Sequence, residues 1–366
     1  MRLFSPIVDP ARLRAEFPVL EGSAYLNAGT DGPLPARAID AAEAELRREL
    51  GEGRATAHFE RRRELCDALR GRYATALHAD TADLALTTST TEGIAQVIVG
   101  LPLSPDDQIV TSDEEHPGLQ GALAAARELH GIEVKVVPWD ELAEAVGPRT
   151  RLVACSHVSW MTGRFAPAAL ADVDVPVLLD GAQGIGAVDA DVRALGCAAY
   201  AGSGQKWLCG PDGLGALWVS PELRERLTVP RRGYGNLADA NEGLSAALQP
   251  DARRFDAPSL SAEATALALA SIELLEDAGW ERVHERAHTL AAVLEQRLAD
   301  LGREVVPRDR TTLVSFSSED AEGERLRLAE SGVVVRNIPG RPWLRASVGA
   351  WNDEQDLERL LAGLAR

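Results

Sequence analysis

The chain has 366 residues, with 38 Lys and Arg against 56 Asp and Glu, and a formal net charge of −18. That balance lacks the basic footprint that nucleic acid or an anionic membrane face requires, so neither partner is expected. Apolar residues at 45% and charged residues at 26%, with Gly and Pro near ordinary usage, exclude collagen-like and low-complexity chains. The length predicts a sizeable core and two or three domains, or one large domain with an appendage.

No apolar run approaches the roughly 18–20 residues that cross a bilayer. Residues 1–20 carry Asp9, Arg12, Arg14 and Glu16 and no apolar stretch of the signal-peptide kind. Cys66, Cys155, Cys197 and Cys209 have no metal-ligand spacing, so no metal is expected. A reduced, cytoplasmic protein fits these features.

Strand-like and helix-like segments alternate along the first two thirds. Residues 36–50 and 60–77 read as helices rich in Ala, Leu, Glu and Arg. A strand over 84–88 leads through a Thr/Ser turn into a helix over 91–100. A strand (107–112), a helix (117–130) and a strand (132–138) follow, and ELAEAV (141–146) reads as helical. Further strands are expected at 151–156, 175–180, 197–203 and 214–220. Their continuous apolar runs suit a sheet buried on both faces, and the alternation predicts a doubly wound α/β domain. Residues 230–260 are long for a connector, which points to a functional loop. After two helices (261–278 and 280–301) come short strands at 312–318, 332–336 and 343–349 and a closing helix at 353–364. This change of texture predicts a smaller α+β domain. The expected division is an N-terminal segment 1–20 packing on the small domain, a large domain 21–255 and a small domain 256–366.

Only two of the 38 cations are lysines, Lys135 and Lys206. A lysine is ordinarily a surface residue. Lys206, however, lies in GSGQKWLCGPDGLG (202–215), at an apolar strand end before a Gly-rich turn. Such flanks desolvate an amine and keep it nucleophilic near neutral pH. Asp180 closes the apolar strand VPVLLD at its carboxyl end, where open α/β sheets bind ligands. A buried carboxylate there needs a cationic partner, such as a protonated pyridine nitrogen; a turn or cap aspartate is the equally ordinary alternative. Gln183 follows within reach of a ring substituent.

Three weaker candidates accompany them. TTSTTEG (87–93) offers hydroxyls and amides at a helix N-terminus, which suits a phosphate as well as plain capping. His116 in SDEEHPGL precedes a Pro-Gly helix start, and its imidazole could stack on a flat ring or cap the helix. Arg345 in WLRASVG is an arginine in apolar strand context; it needs an anion, from a ligand carboxylate or from an internal salt bridge. A nicotinamide fingerprint and a P-loop lysine motif are missing from the sequence.

In order, the Thr-rich turn, EHPG, SHVSWMTG, LLDGAQ, SGQKW and LRASVG resemble the class V aminotransferase family of pyridoxal-phosphate (PLP) enzymes. The resemblance runs from YLNAGTDGPLP (25–35) to LRASVGAWNDEQDLERL (344–360). It implies PLP fold type I: a large, doubly wound, mostly parallel sheet domain with a smaller α+β C-terminal domain. It implies catalytic roles for Lys206, Asp180 and His116. Lys206 would carry the cofactor and shuttle a proton, Asp180 would keep the ring nitrogen protonated, and His116 would stack on the ring. Gln183 would bond the ring 3-oxygen, and Thr90, Thr91, Ser203 and Gln205 would hold the phosphate. Arg345, with Asn27 and Trp160, would meet the amino-acid substrate. Relatives complete each phosphate site from the partner subunit, which implies a homodimer; Ser259 in RRFDAPSL stands where they carry a Gly-Thr donor. Two departures concern substrate details: Gln205 replaces a His, and Trp160 replaces an Asn.

Desulfurases of the family need a mobile cysteine in the C-terminal active-site loop. The corresponding stretch, VVVRNIPGRPWLRAS (333–347), has none. SDEEHPG, SHVSWMTG, QKWLCGPDGLG and RRFD look most like the cystine/cysteine C–S lyases. The implied reaction is α,β-elimination to pyruvate, ammonia and a sulfur product. Aminotransferase or epimerase chemistry is the alternative, because one Cα deprotonation feeds all three. A non-catalytic scaffold of the same fold is the alternative of another class.

Overall fold

The computed structural model describes residues 9–365. Its strands are β1 (Ala24–Tyr25), β2 (Leu84–Thr87), β3 (Gln108–Ser112), β4 (Glu133–Val137), β5 (Thr150–Ser156) and β6 (Val177–Asp180). They continue with β7 (Ala199–Ser203), β8 (Gly215–Val219), β9 (Leu313–Ser317), β10 (Val333–Val334), β11 (Arg336–Asn337) and β12 (Trp343–Ser347). A seven-stranded sheet runs in the order β2-β8-β7-β6-β5-β3-β4, as the doubly wound reading requires. Every neighbouring pair is parallel except the two that β8 makes with β2 and β7.

Side-chain alternation along these strands splits the core into two layers. Leu84, Leu86, Val177, Leu179 and Tyr200 face one layer with the helices Thr56–Ala76 and Ala262–Ala278. Ala85, Leu178, Ala199 and Ala201 face the other with Thr90–Gly100 and Pro117–His130. Both faces of the inner strands are covered, which explains their predominantly apolar runs; the edge strand β4 is largely exposed. The RRFD stretch serves this sheet: Asp256 accepts two 2.9 Å bonds from Arg70 and one of 2.8 Å from the Leu86 amide.

The C-terminal part is a three-stranded antiparallel sheet, β11-β12-β9, under the helices Trp280–Asp300 and Glu354–Leu364. β1 pairs in parallel with β10, and Asn27 bridges Ser347, so residues 24–27 are tied to this part. Of the N-terminal segment 1–20, residues 1–8 lie outside the described residues. Arg14 bonds Asp356 at 2.7 Å and the Trp351 carbonyl at 3.1 Å.

Three local readings need correction. ELAEAV is not a helix: a 3-10 turn at Trp139–Glu141 gives way to turns. Eight residues between Pro138 and Gly147-Pro148 are too few to sustain one, and the Ala145 carbonyl accepts from Lys135 Nζ instead. The single strand expected at 332–336 divides into β10 and β11, which join different sheets. A helix at Ala321–Glu330 was not anticipated; Leu328 is its one buried apolar residue, so it carries almost no periodic signal. Residues 230–260 hold three short 3-10 pieces and leave Tyr234 82% exposed.

Candidate active site

The carboxyl ends of β2, β3, β5, β6 and β7 lie along one edge of the large sheet, and the candidate residues collect there. Lys206 sits in the turn after β7. That turn is pinned by Gly204 N–H to Leu214 O at 2.9 Å and by Gly210 N–H to Gly204 O at 2.9 Å. It ends at Cys209, which adopts a left-handed φ of 54°. The segment 27–32 crosses the turn: Gly32 N–H donates to Gln205 O at 2.7 Å. A Cβ on Gly32 would stand 2.0 Å from Lys206 O, so only glycine permits this approach.

Burial lowers the Lys206 amine to about 8, with Asp180 opposing the shift and Arg345 adding to it. Asp180 closes β6, fully enclosed, and burial raises its carboxyl while Lys206 pulls it down. Its Oδ1 accepts from Ala182 N–H at 2.9 Å. Behind it, His157 Nδ1 and the Tyr200 hydroxyl lie 3.0 Å apart, and His157 N–H donates to Asp180 O at 2.8 Å. His116 caps the helix Pro117–His130 through Nδ1, which accepts from Gly118 N–H at 3.1 Å. Burial, with Lys206, Arg336 and Arg345 nearby, pushes its imidazole down to about 4, so the ring is neutral at pH 7.

Gln183 is held from both sides. Its Nε2 donates to Gly29 O at 2.8 Å and its Oε1 accepts from Trp207 Nε1 at 2.9 Å, leaving one N–H for a ligand. The hydroxyls of Thr90 and Ser203 and the Gln205 Oε1 are buried without hydrogen-bond partners among the described residues. Thr90 opens the helix Thr90–Gly100, whose cap is Ser89. Thr91 is exposed beside Gly118, where a Cβ would meet its Oγ1 at 2.4 Å. Glu92 turns back to accept from the Thr88 amide at 2.5 Å and pairs with Arg231. Ser259 does not join this cluster: it is exposed, and its Oγ accepts from Arg62 at 3.3 Å.

On the small-domain side, Arg345 is wholly buried. One nitrogen donates to Trp160 O at 2.7 Å; Nε and the other terminal nitrogen have no partner among the described residues. Burial brings the guanidinium down to about 9, with Arg336 contributing. Asn27 accepts from Thr30 Oγ1 at 2.8 Å. The Trp160 ring is edge-on to His116 at 5.3 Å, lies under the Arg336 guanidinium at 5.3 Å, and buries an Nε1 with no partner among the described residues.

Sequence reasoning missed two residues here. Arg336 is the register partner of Arg345 across β11 and β12. Like charges directly opposite are unfavourable, so the pair marks a place for anions. The alternation in VVVRNIPGRPWLRAS was the signal. Glu115 is buried against Asp180, and burial raises its carboxyl to about 8. It accepts from Ser112 Oγ at 2.5 Å and from Ser156 N–H and Oγ at 2.9 and 2.6 Å. Its neighbour Glu114 is only half-buried, so nothing in the sequence singled it out.

The profile of the aminotransferase class-V family matches residues 24–360. The chain belongs to that family. It is 32% identical to a probable cysteine desulfurase of Pseudomonas aeruginosa, over 98% of each chain. It is 31% identical to the isopenicillin N epimerase of Amycolatopsis lactamdurans, over 93% of this chain and 94% of the relative. Among solved structures it is similar to C-DES, with glycine covalently linked to the PLP cofactor (TM-score 0.91, 27% identity, 96% of this chain and 98% of the other). A second C-DES structure, a cystine C–S lyase with its product cysteine persulfide, gives TM-score 0.90 at 28% identity over 95% and 99%. Family membership makes the chain an enzyme with the type I fold seen above. Among the described residues no helix is long and apolar enough to cross a membrane, and no cluster has metal-binding composition.

Proposed function

We propose that the chain is a PLP-dependent C–S lyase that eliminates sulfur from a cystine- or cysteine-type amino acid, giving pyruvate and ammonia. The residues fit the cofactor. Thr90 at the head of its helix and Ser203 at the end of β7 present buried hydroxyls without partners among the described residues, donors that a phosphate requires; Gln205, in the turn beside Lys206, would turn its amide N–H to the same group. Asp180 is a buried carboxylate suited to a ring N–H⁺, His116 is a neutral ring suited to stacking, and Gln183 keeps one N–H for the ring oxygen. PLP, when bound, supplies an electron sink for the pair left at Cα after deprotonation.

The chain's own groups do the rest. Lys206 carries the cofactor and then takes the Cα proton, which an amine near 8 can hold and return at neutral pH. Arg345 fixes the substrate α-carboxylate, since its two free nitrogens suit a bidentate anion. Trp160 and Asn27 border that carboxylate, and Arg336 supplies a second anionic contact. Trp207 and Leu208 exclude water beneath the lysine.

The observation that carries the lyase reading is the missing thiol. Cys155, Cys197 and Cys209 are buried, and burial pushes all three thiols up; Cys66 is half-buried, with its thiol also raised. None can accept sulfur as a thiolate at the site. The test adds L-cystine to PLP-loaded protein while pyruvate and the visible spectrum are followed. Pyruvate with the starting spectrum restored supports elimination. Conversion of the cofactor to its amine form would establish transamination instead. Recovery of the D-amino acid without pyruvate would establish epimerisation.

The lysine also sets a pH dependence. Only the neutral amine attacks PLP, and its fraction rises tenfold per pH unit below the pKa. Covalent loading of apo protein is therefore expected to accelerate up to about pH 8 and then level off. An unperturbed lysine would keep climbing to about pH 10. Stopped-flow absorbance after PLP addition reads the difference.

We also place the protein as a cytoplasmic homodimer. Its four cysteines are free. Exposed Phe59 lies under the Arg62 guanidinium, and Arg62 bonds Ser259. That edge is where Ser259 would reach the partner's phosphate.

A further inference from the structure

The rim of the site carries a carboxylate that the chemistry above does not use. Asp31 sits in the turn 27–32, and that turn is fixed on every side. The Gln183 amide bonds Gly29 O at 2.8 Å, and Thr30 Oγ1 lies 3.5 Å from an Arg336 nitrogen. Tyr25 donates to Asp31 O at 2.9 Å, Asp31 N–H donates to Asn27 O at 3.2 Å, and Gly32 abuts the Lys206 turn. A Cβ on Gly29 would stand 2.9 Å from the free terminal nitrogen of buried Arg345. Asp31 is thus held between the residue beside Arg336 and the residue beside Lys206, with its side chain exposed. Both cations feel its negative charge, yet its carboxylate makes no hydrogen bond or ion pair among the described residues. Partial burial and neighbouring Asp212 hold its carboxyl above the ordinary value, against the pull of Lys206 and Arg336. Asp31 is exposed, whereas Arg345, with two nitrogens that have no partner among the described residues, is wholly buried and marks the inner end.

We propose that Asp31 is a specificity-determining residue that binds an ammonium group on the far side of the substrate, so that the site selects bis-amino-acid substrates. Arg336 reads the distal carboxylate and Asp31 the distal ammonium, one amino-acid head group between them. A substrate of this kind spans from Arg345 at the α-carboxylate to Asp31 at the rim. A free carboxylate facing a ligand ammonium forms a charge-assisted bond, whereas a ligand lacking the amine leaves it beside a second acid, Asp212. The assignment deepens the lyase reading and rests on it for the position of the substrate.

The test compares two ligands on PLP-loaded protein. One is L-cystine. The other is the mixed disulfide of L-cysteine with 3-mercaptopropionate, which keeps the disulfide and the distal carboxylate and lacks only the distal ammonium. Dissociation constants are read from the visible absorbance, and pyruvate is assayed in parallel. The expected result is about tenfold tighter binding of L-cystine, falling to near onefold in Asp31→Asn. Equal binding of the two ligands by the unaltered protein overturns the proposal. So does an Asp31→Asn variant that weakens both ligands in parallel, which would make the residue a general offset to nearby positive charge. The preference without pyruvate upholds Asp31 and overturns the lyase reaction. A spectrum that responds to neither ligand overturns both.

Discussion

Lys206→Ala is expected to abolish covalent attachment of PLP and to lower pyruvate formation at least about 10³-fold. General acid–base catalysis alone contributes about 10²–10⁴-fold, and the substitution removes both the proton carrier and the anchor. The backbone of the turn is held by Gly204, Gly210 and Gly32, not by the amine, so the variant should fold. Borohydride treatment followed by intact-mass measurement reads the attachment. A cofactor mass that persists on the Lys206→Ala chain would remove Lys206 from the role assigned to it. Lys135, the other lysine, donates to Ala145 O at the far end of the sheet order and cannot substitute.

Asp180→Ala separates loading from turnover. Asp180 raises the Lys206 pKa against the effect of burial, so removing it drives that pKa further down and leaves more neutral amine at pH 7. Covalent loading should therefore persist. Turnover should fall about 10²- to 10³-fold, the scale on which loss of one preorganised electrostatic partner is felt. Loading and kcat measured on the same preparation test the split. Near-unaltered kcat would mean that another group holds the ring nitrogen's proton; Glu115, the second buried carboxyl, would be the first to examine.

What could be read in the chain before folding followed its local chemistry. An amine flanked by Gly-rich and apolar residues, an aspartate ending an apolar strand, and hydroxyls opening a helix each carry their environment in adjacent residues. The same holds for the inner strands of the large sheet, because strands buried on both faces are predominantly apolar. The short helix Ala321–Glu330 carried no such signature, with one buried apolar residue against a mostly polar surface. The failed helix at 141–146 shows the reverse: favourable composition without the length to nucleate.

The sequence by itself determined the doubly wound domain, the lysine, and the carboxylate and hydroxyl groups that strand ends deliver to one edge. Tertiary structure decided what surrounds them. Antiparallel pairing of β11 with β12 sets Arg336 opposite Arg345, nine residues away along the chain. Parallel pairing of β1 with β10 carries residues 27–32 across the lysine turn and leaves Asp31 on the rim. Burial beside Asp180, a matter of packing depth, lifts Glu115 to about 8. Electrostatic environments of this kind depend on distance in space and on exclusion of water, and neither is a property of neighbouring residues in the chain.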